Sequence, residues 1–205
     1  MAQMGRPRTF DRSKAIEQAL HLFWEQGYES TSLSQLKAQI GGGITAPSFY
    51  AAFGSKEDLF KEVMQFYMQT YARVTDGLWD ENLSPREAIE QTLLRSAKMQ
   101  CELGHPKGCM VALGVMSAPT PQHVHLTEPL KAAREKTLEG FVRCVQRGID
   151  QGDLVTGTNA QSLGGVFYSF LLGVSIYSRD QVDITTLHAS ISEMMKLWAL
   201  AEKKS

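Results

Sequence analysis

The chain has 205 residues, 43% of them hydrophobic, and a net charge of −1 at neutral pH. That apolar fraction supports a buried core, and the charge balance excludes a protein that coats nucleic acid through bulk positive charge. Three cysteines without a paired spacing exclude a disulfide framework and point to a reducing, cytoplasmic setting.

Residues 1–10 form a polar, Gly/Pro-containing arm with no apolar segment of the kind a signal peptide needs. The arm carries Arg6 and Arg8, and with Arg12 and Lys14 against Asp11 alone the start of the chain is locally basic. Gly5-Arg6-Pro7-Arg8 resembles the core of hooks that enter narrow A·T minor grooves, where the negative potential is greatest; a solvated terminus is the plain alternative. Residues 11–26 read as an amphipathic helix through Ile16, Ala19, Leu20, Phe23 and Trp24, ended by Gly27. Ser32 and Gln35 make a capping box for a helix carrying Leu33, Leu36 and Ile40 on one face. Gly41-Gly42-Gly43 stops it. Thr45 caps a second short helix with Pro47 in its first turn and Phe49 and Phe53 as anchors. Gly54 ends that helix, and Ser55 caps the next, which is expected to run unbroken over 56–79.

Beyond a turn at 82–85, helices are expected at 86–104, 107–118, 128–151, 159–179 and 183–202, with a loop through Pro119, Pro121, His123 and His125. The longest apolar run, 164–177, falls short of the roughly 18 residues of a membrane span, so no membrane partner is expected. No strand or repeat is visible. The fold class is all-α, with about nine helices: an arm at 1–10, a three-helix head at 11–55 and a larger helical domain at 56–205.

Two short helices joined by a glycine turn make a helix-turn-helix, whose second helix can enter a major groove of double-stranded DNA. The run ITAPSFYAAFGSKEDLF (44–60) resembles the signature of TetR-family repressors, and residues 19–33 resemble that family's first helix and its exit. The family's usual turn is a single glycine followed by a hydrophobic residue; Ile40-Gly41-Gly42-Gly43-Ile44 departs from it like a two-residue insertion. The resemblance implies a repressor that binds a palindromic operator as a homodimer through 159–179 and 183–202, and that a small-molecule inducer releases. The second short helix carries no charge, so it offers Ala46, Pro47 and Ala51 to thymine methyls and Ser48 to a base edge or phosphate. By resemblance Tyr50 and Lys56 hold phosphates, and Thr45 caps and contacts one. Lys37, Arg6 and Arg8 complete the electrostatic contribution.

The family's second domain encloses an inducer pocket. Its candidate lining here is Phe66, Tyr67, Met99, Met110, Met116, Phe141, Phe167 and Tyr168, with core packing as the alternative for each. The helix over 56–79 is the expected lever between domains. Cys109, beside Lys107 and His105 at an expected helix start, is a redox-sensing candidate, against a buried, inert thiol. Cys101, His105 and Cys109 fall four apart, but Gly104, Pro106 and Gly108 argue against the continuous helix a metal site there needs. No metal or cofactor is expected. Two other functions stand beside the repressor: an all-helical enzyme using His105, His123, His125 or Glu128, and a helical protein-interaction adaptor without DNA binding.

Overall fold

The structure, a computed structural model, describes residues 10–114 and 120–203. Among them are nine α-helices and three 3-10 helices, and the β-structure is one isolated bridge between Leu154 and Glu202. The chain divides into two compact units between Tyr67 and Met68.

The first unit contains α1 (Arg12–Ser30), α2 (Leu33–Gln39), α3 (Ala46–Phe53) and most of α4 (Lys56–Gln69). Its division lies twelve residues later than expected, because α4 supplies core residues to the head. Leu59, Phe60, Val63 and Tyr67 are buried. The Phe60 ring lies 5.0 Å from Phe23 and that of Tyr67 5.0 Å from Trp24, both edge-on. Helical geometry in α1 is interrupted at Gly27 (φ 79°, ψ 167°), and the Thr31 hydroxyl donates to the freed Gly27 carbonyl at 2.7 Å. The Ser32–Gln35 capping box forms in both directions, at 3.1 and 2.7 Å, an arrangement worth about 1 kcal/mol of helix stability.

The second unit holds α5 (Pro85–Cys101), α6 (Met110–Leu113), α7 (Glu128–Gln151), α8 (Ala160–Arg179) and α9 (Ile184–Ala201), with 3-10 turns at Tyr71–Trp79 and Pro121–Leu126. Leu78, Ile89, Leu93, Phe141, Val145, Phe167, Leu187, Ile191 and Trp198 form its core. Gly164 lets α8 approach the α7 backbone: a Cβ there would lie 2.8 Å from the Val142 N and Cα.

Two expected helices are corrected. The helix over 56–79 ends at Gln69, and Thr70 takes φ −121°, ψ −86°. The 3-10 segment that follows suits its residues. The Arg73 and Asp76 side chains pair three apart at 3.0 Å, the spacing a 3-10 turn brings into line, and the Thr75 hydroxyl bonds the Ala72 carbonyl at 3.1 Å. Of the helix expected at 107–118 the described residues contain a single turn, Met110–Leu113, and residues 115–118 lie outside them. Gly108, at φ 81°, is wedged against the Ser175 carbonyl and cannot extend it backwards.

Helix α8 also exceeds the length the sequence reading allowed for its apolar run. It is the one helix among the described residues long and apolar enough to cross a membrane, with mean hydropathy 1.2. One face, Gly164, Phe167, Leu171, Val174 and Ser175, is buried in the second unit's core.

Candidate functional site

In the head, α2 and α3 are joined by a 3-10 turn, Ile40–Gly42, and Gly43. Gly41, Gly42 and Gly43 have φ of 60°, 77° and 94°, a run that side chains resist. The Gly41 N–H donates to Gln18 Oε1 at 2.8 Å, and the Ile44 N–H to the Lys37 carbonyl at 2.8 Å, so the longer turn is tied to α1 and α2. A Cβ on Gly41 would lie 2.9 Å from the Phe10 ring.

The Thr45 hydroxyl caps α3, accepting from the Ser48 N–H at 3.3 Å. Phe49 and Phe53 are buried in the head, while Thr45, Pro47, Ser48, Tyr50 and Ala51 are exposed and Ala46 is half-buried. The presented surface is therefore uncharged. Lys37 is half-buried. Lys56 Nζ sits 4.1 Å from the centre of the Tyr28 ring, and partial burial pulls its ammonium below the ordinary lysine value against the opposing field of Glu29. Arg12, counted with the basic start of the chain, pairs with Glu62 at 2.6 Å and covers the Phe53 ring. Arg6 and Arg8 lie outside the described residues.

The second unit contains a cavity of about 140 Å³. Its walls come from the 3-10 segment (Ala72, Val74, Thr75, Trp79), from α5 (Ser96, Met99, Gln100), from Cys109, Val111 and Ala112, from α7 (Ala133, Arg134, Thr137) and from α8 (Tyr168, Leu171, Leu172, Ser175). Arg134 Nη1 donates to the Val111 carbonyl at 2.9 Å. Burial pushes the Tyr168 phenol above its ordinary value, and the Arg134 guanidinium works the other way.

Of the candidate lining, Met99 and Tyr168 face this cavity. Phe141 and Phe167 pack on each other in the core, with ring centres 6.5 Å apart. Tyr67 belongs to the head, Phe66 is half-buried on α4, Met110 is buried on α6, and Met116 lies outside the described residues. Cys109 is half-buried and on the cavity wall. The helix behind it is one turn, too short for the N-terminal dipole the sequence reading invoked. Lys107 donates to the backbone carbonyls of Cys101 and Glu102. Gly104 (φ 99°) and Gly108 (φ 81°) interrupt the four-residue spacing of Cys101, His105 and Cys109. His105 packs edge-on to Tyr71, and His123 Nδ1 lies 3.0 Å from the Thr120 hydroxyl.

Ser96, Gln100 and Ser175 were missed by the sequence reading. Their signal was the polar row Thr92, Ser96, Gln100, four apart on the buried side of α5, where an apolar row is the rule. An orphaned buried polar atom costs about 1–3 kcal/mol. The side-chain oxygens of all four residues, Thr92 Oγ1, Ser96 Oγ, Gln100 Oε1 and Ser175 Oγ, lack a hydrogen-bond partner among the described residues.

A third surface lies on α8 and α9. Val166, Ile176, Tyr177, Leu197 and Leu200 are exposed, and open space surrounds Gly165 and Gly173.

The family model described as "Bacterial regulatory proteins, tetR family" matches residues 15–63. The chain is 29% identical over 198 residues to the HTH-type transcriptional repressor ComR of Escherichia coli (strain K12), covering 95% of this chain and 91% of that protein. It is 32% identical over 138 residues to the HTH-type transcriptional repressor BdcR of the same organism, covering 67% and 68%. A solved structure of the TetR family transcriptional regulator CifR, a cysteine mutant complexed with 26-bp double-strand operator DNA, superposes with TM-score 0.81 at 33% identity, covering 94% of this chain and 100% of that one. These relatives are regulators, which sets aside the catalytic reading of His105, His123, His125 and Glu128 and disfavours the adaptor. This chain belongs to the TetR family of bacterial regulatory proteins, and it is a helix-turn-helix, DNA-binding transcriptional regulator.

Proposed function

We propose that the protein is a cytoplasmic, homodimeric repressor that holds a palindromic operator and leaves it when a small molecule occupies the cavity of the second unit. The observation that carries the reading is the cavity itself, walled by five separate segments of one compact unit, with Cys109 among its lining residues. A ligand there touches α5, α7 and α8 together, and it shifts DNA binding only as far as it favours one arrangement of them over another. A thiol-reactive inducer would meet Cys109 on the same wall.

Dimerisation is supported by α8. Ser162, Gly165, Val166, Ser169, Gly173, Ile176 and Tyr177 recur at helical spacing on the side away from the core, and only 28% of the helix's apolar window is buried. A second copy pairing through α8 and α9 covers that face, and two-fold pairing sets two α3 helices on a symmetric site. On each α3, Ala46, Pro47, Ser48, Tyr50 and Ala51 meet the groove. Thr45, Lys37, Lys56 and the arginines of the arm take phosphates or the minor groove. The operator complex of CifR supports this assignment by analogy.

A mobility shift with palindromic duplexes from the gene's own upstream region, combined with sedimentation of the free protein, tests the reading. The expected result is a dimer that shifts one duplex in a salt-dependent way. A monomer that shifts none of them would sink it.

A further inference from the structure

The cavity wall holds a set of neutral polar groups that nothing among the described residues engages. Ser96, Gln100 and Ser175 are each about 1% exposed, and Ser96 Oγ, Gln100 Oε1 and Ser175 Oγ have no partner among the described residues. All three residues line the cavity, two of them one turn apart on α5 and the third on α8. Gln100 Oε1 accepts only, whereas a serine hydroxyl both donates and accepts. The missing partner therefore carries an O–H or N–H.

Charge argues for a neutral partner. Of the charged residues on the wall, Asp76 and Lys136 are exposed, and Arg134 is turned to the Val111 carbonyl. An anion brought to the serines would face the Gln100 oxygen, and burying a charge without a pair is costly. Size sets the other limit. A cavity of about 150 Å³ accommodates a benzene ring, and this one is about 140 Å³.

We infer that the cavity is a binding site for a small, uncharged hydroxyl compound of about one ring's size, its hydroxyl held by Ser96, Gln100 and Ser175 and its apolar body by Met99, Val111 and Leu171. This deepens the inducer reading and rests on it for its regulatory meaning; occupancy itself is measured without DNA.

The probes are phenol, toluene and benzoate: the first two match in heavy atoms, and the third adds a charge. Calorimetric titration of the full-length protein is expected to give phenol at least about tenfold tighter binding than either of the others. In Ser96→Ala/Ser175→Ala the phenol–toluene difference falls to within about twofold while toluene binding persists, which shows the variant still folds around its cavity. Gln100→Met, close in volume, is expected to reduce the same difference. Equal affinity for phenol and toluene, tighter binding of benzoate, no binding of any probe, or a preference unmoved in both variants overturns the inference. A separate mobility shift keeps the two readings apart. Phenol that binds with the stated preference yet leaves the duplex bound upholds the site and defeats the inducer role. Release of DNA by phenol and toluene alike, at equal affinity, does the reverse.

Discussion

A buried hydroxyl in the head and two on the cavity wall of the second unit are treated in opposite ways. In the head, Thr31 is fully buried and its hydroxyl donates to the Gly27 carbonyl at 2.7 Å, closing the gap that the α1 interruption opens. In the second unit, Ser96 and Ser175 are as deeply buried and have no partner among the described residues. The head closes that bond from within and presents an uncharged face on α3. The second unit leaves Ser96, Gln100 and Ser175 unengaged on its cavity wall, where the proposed ligand would meet them. The difference is the one the proposed roles require: a head that holds one shape and a second unit that a ligand can alter.

Substitutions at these positions either sharpen that contrast or break it. Thr31→Val keeps the volume and orphans the Gly27 carbonyl, so it is expected to lower stability by about 1–3 kcal/mol; a urea midpoint unchanged from the parent would contradict the head's half of the comparison. The head's uncharged face makes a second demand, that the electrostatic hold on DNA come from elsewhere. Arg6→Ala/Arg8→Ala is expected to weaken operator binding by about tenfold and to flatten its salt dependence. Undiminished affinity across a salt series would remove the arm from the interface.

A third test concerns a buried thiol that is fully occupied. Cys144 Sγ donates to the Leu78 carbonyl at 3.3 Å, and burial pushes the thiol from 9.0 to about 11. Its folded value lies above its unfolded one. The stability it contributes is therefore complete below pH 9 and is lost as pH rises from 9 through about 11. Denaturation followed against pH is expected to show a loss in that window that Cys144→Ala lacks. At neutral pH, mass spectrometry after brief iodoacetamide treatment is expected to find Cys144 unmodified while half-buried Cys109 reacts. The smallest effect is expected from Ser96→Ala and Ser175→Ala alone. Removing an unpaired hydroxyl lifts its desolvation cost but leaves a small void, so the net change is expected to be neutral or stabilising by about 1 kcal/mol. A clear loss of stability in either would mean those hydroxyls already have partners.

The head was largely legible in the sequence because its signals are local. Ser32 with Gln35, Thr45 before Ala46-Pro47, and the Phe49–Phe53 pair each act within one turn, and all take the geometry their spacing dictates. What the sequence hid depends on distant partners. Continuous apolar periodicity over 56–79 did not reveal the break at Thr70, because a 3-10 segment keeps a similar apolar pattern while the short-range bonds of Arg73 and Thr75 select the tighter turn. The Cys109 region looked helical until Gly108 met the Ser175 carbonyl, a contact 67 positions away in the chain. The cavity was half visible: Met99 and Tyr168 were expected there, but methionines and aromatics line cores and cavities alike, and Phe141 and Phe167 went to the core. Its polar residues were passed over because serine and glutamine on a helix usually face water.

The triple glycine between α2 and α3 has a thermal consequence. Each residue held at positive φ forgoes the wide freedom glycine enjoys in the unfolded chain, at roughly 0.5–1 kcal/mol apiece relative to alanine in regular structure. Three in succession concentrate that entropic loss in one joint, and an entropic loss grows with temperature. On warming, the linker ahead of α3 is expected to loosen before the helices it joins melt, and operator binding to fall off below the melting temperature of the fold.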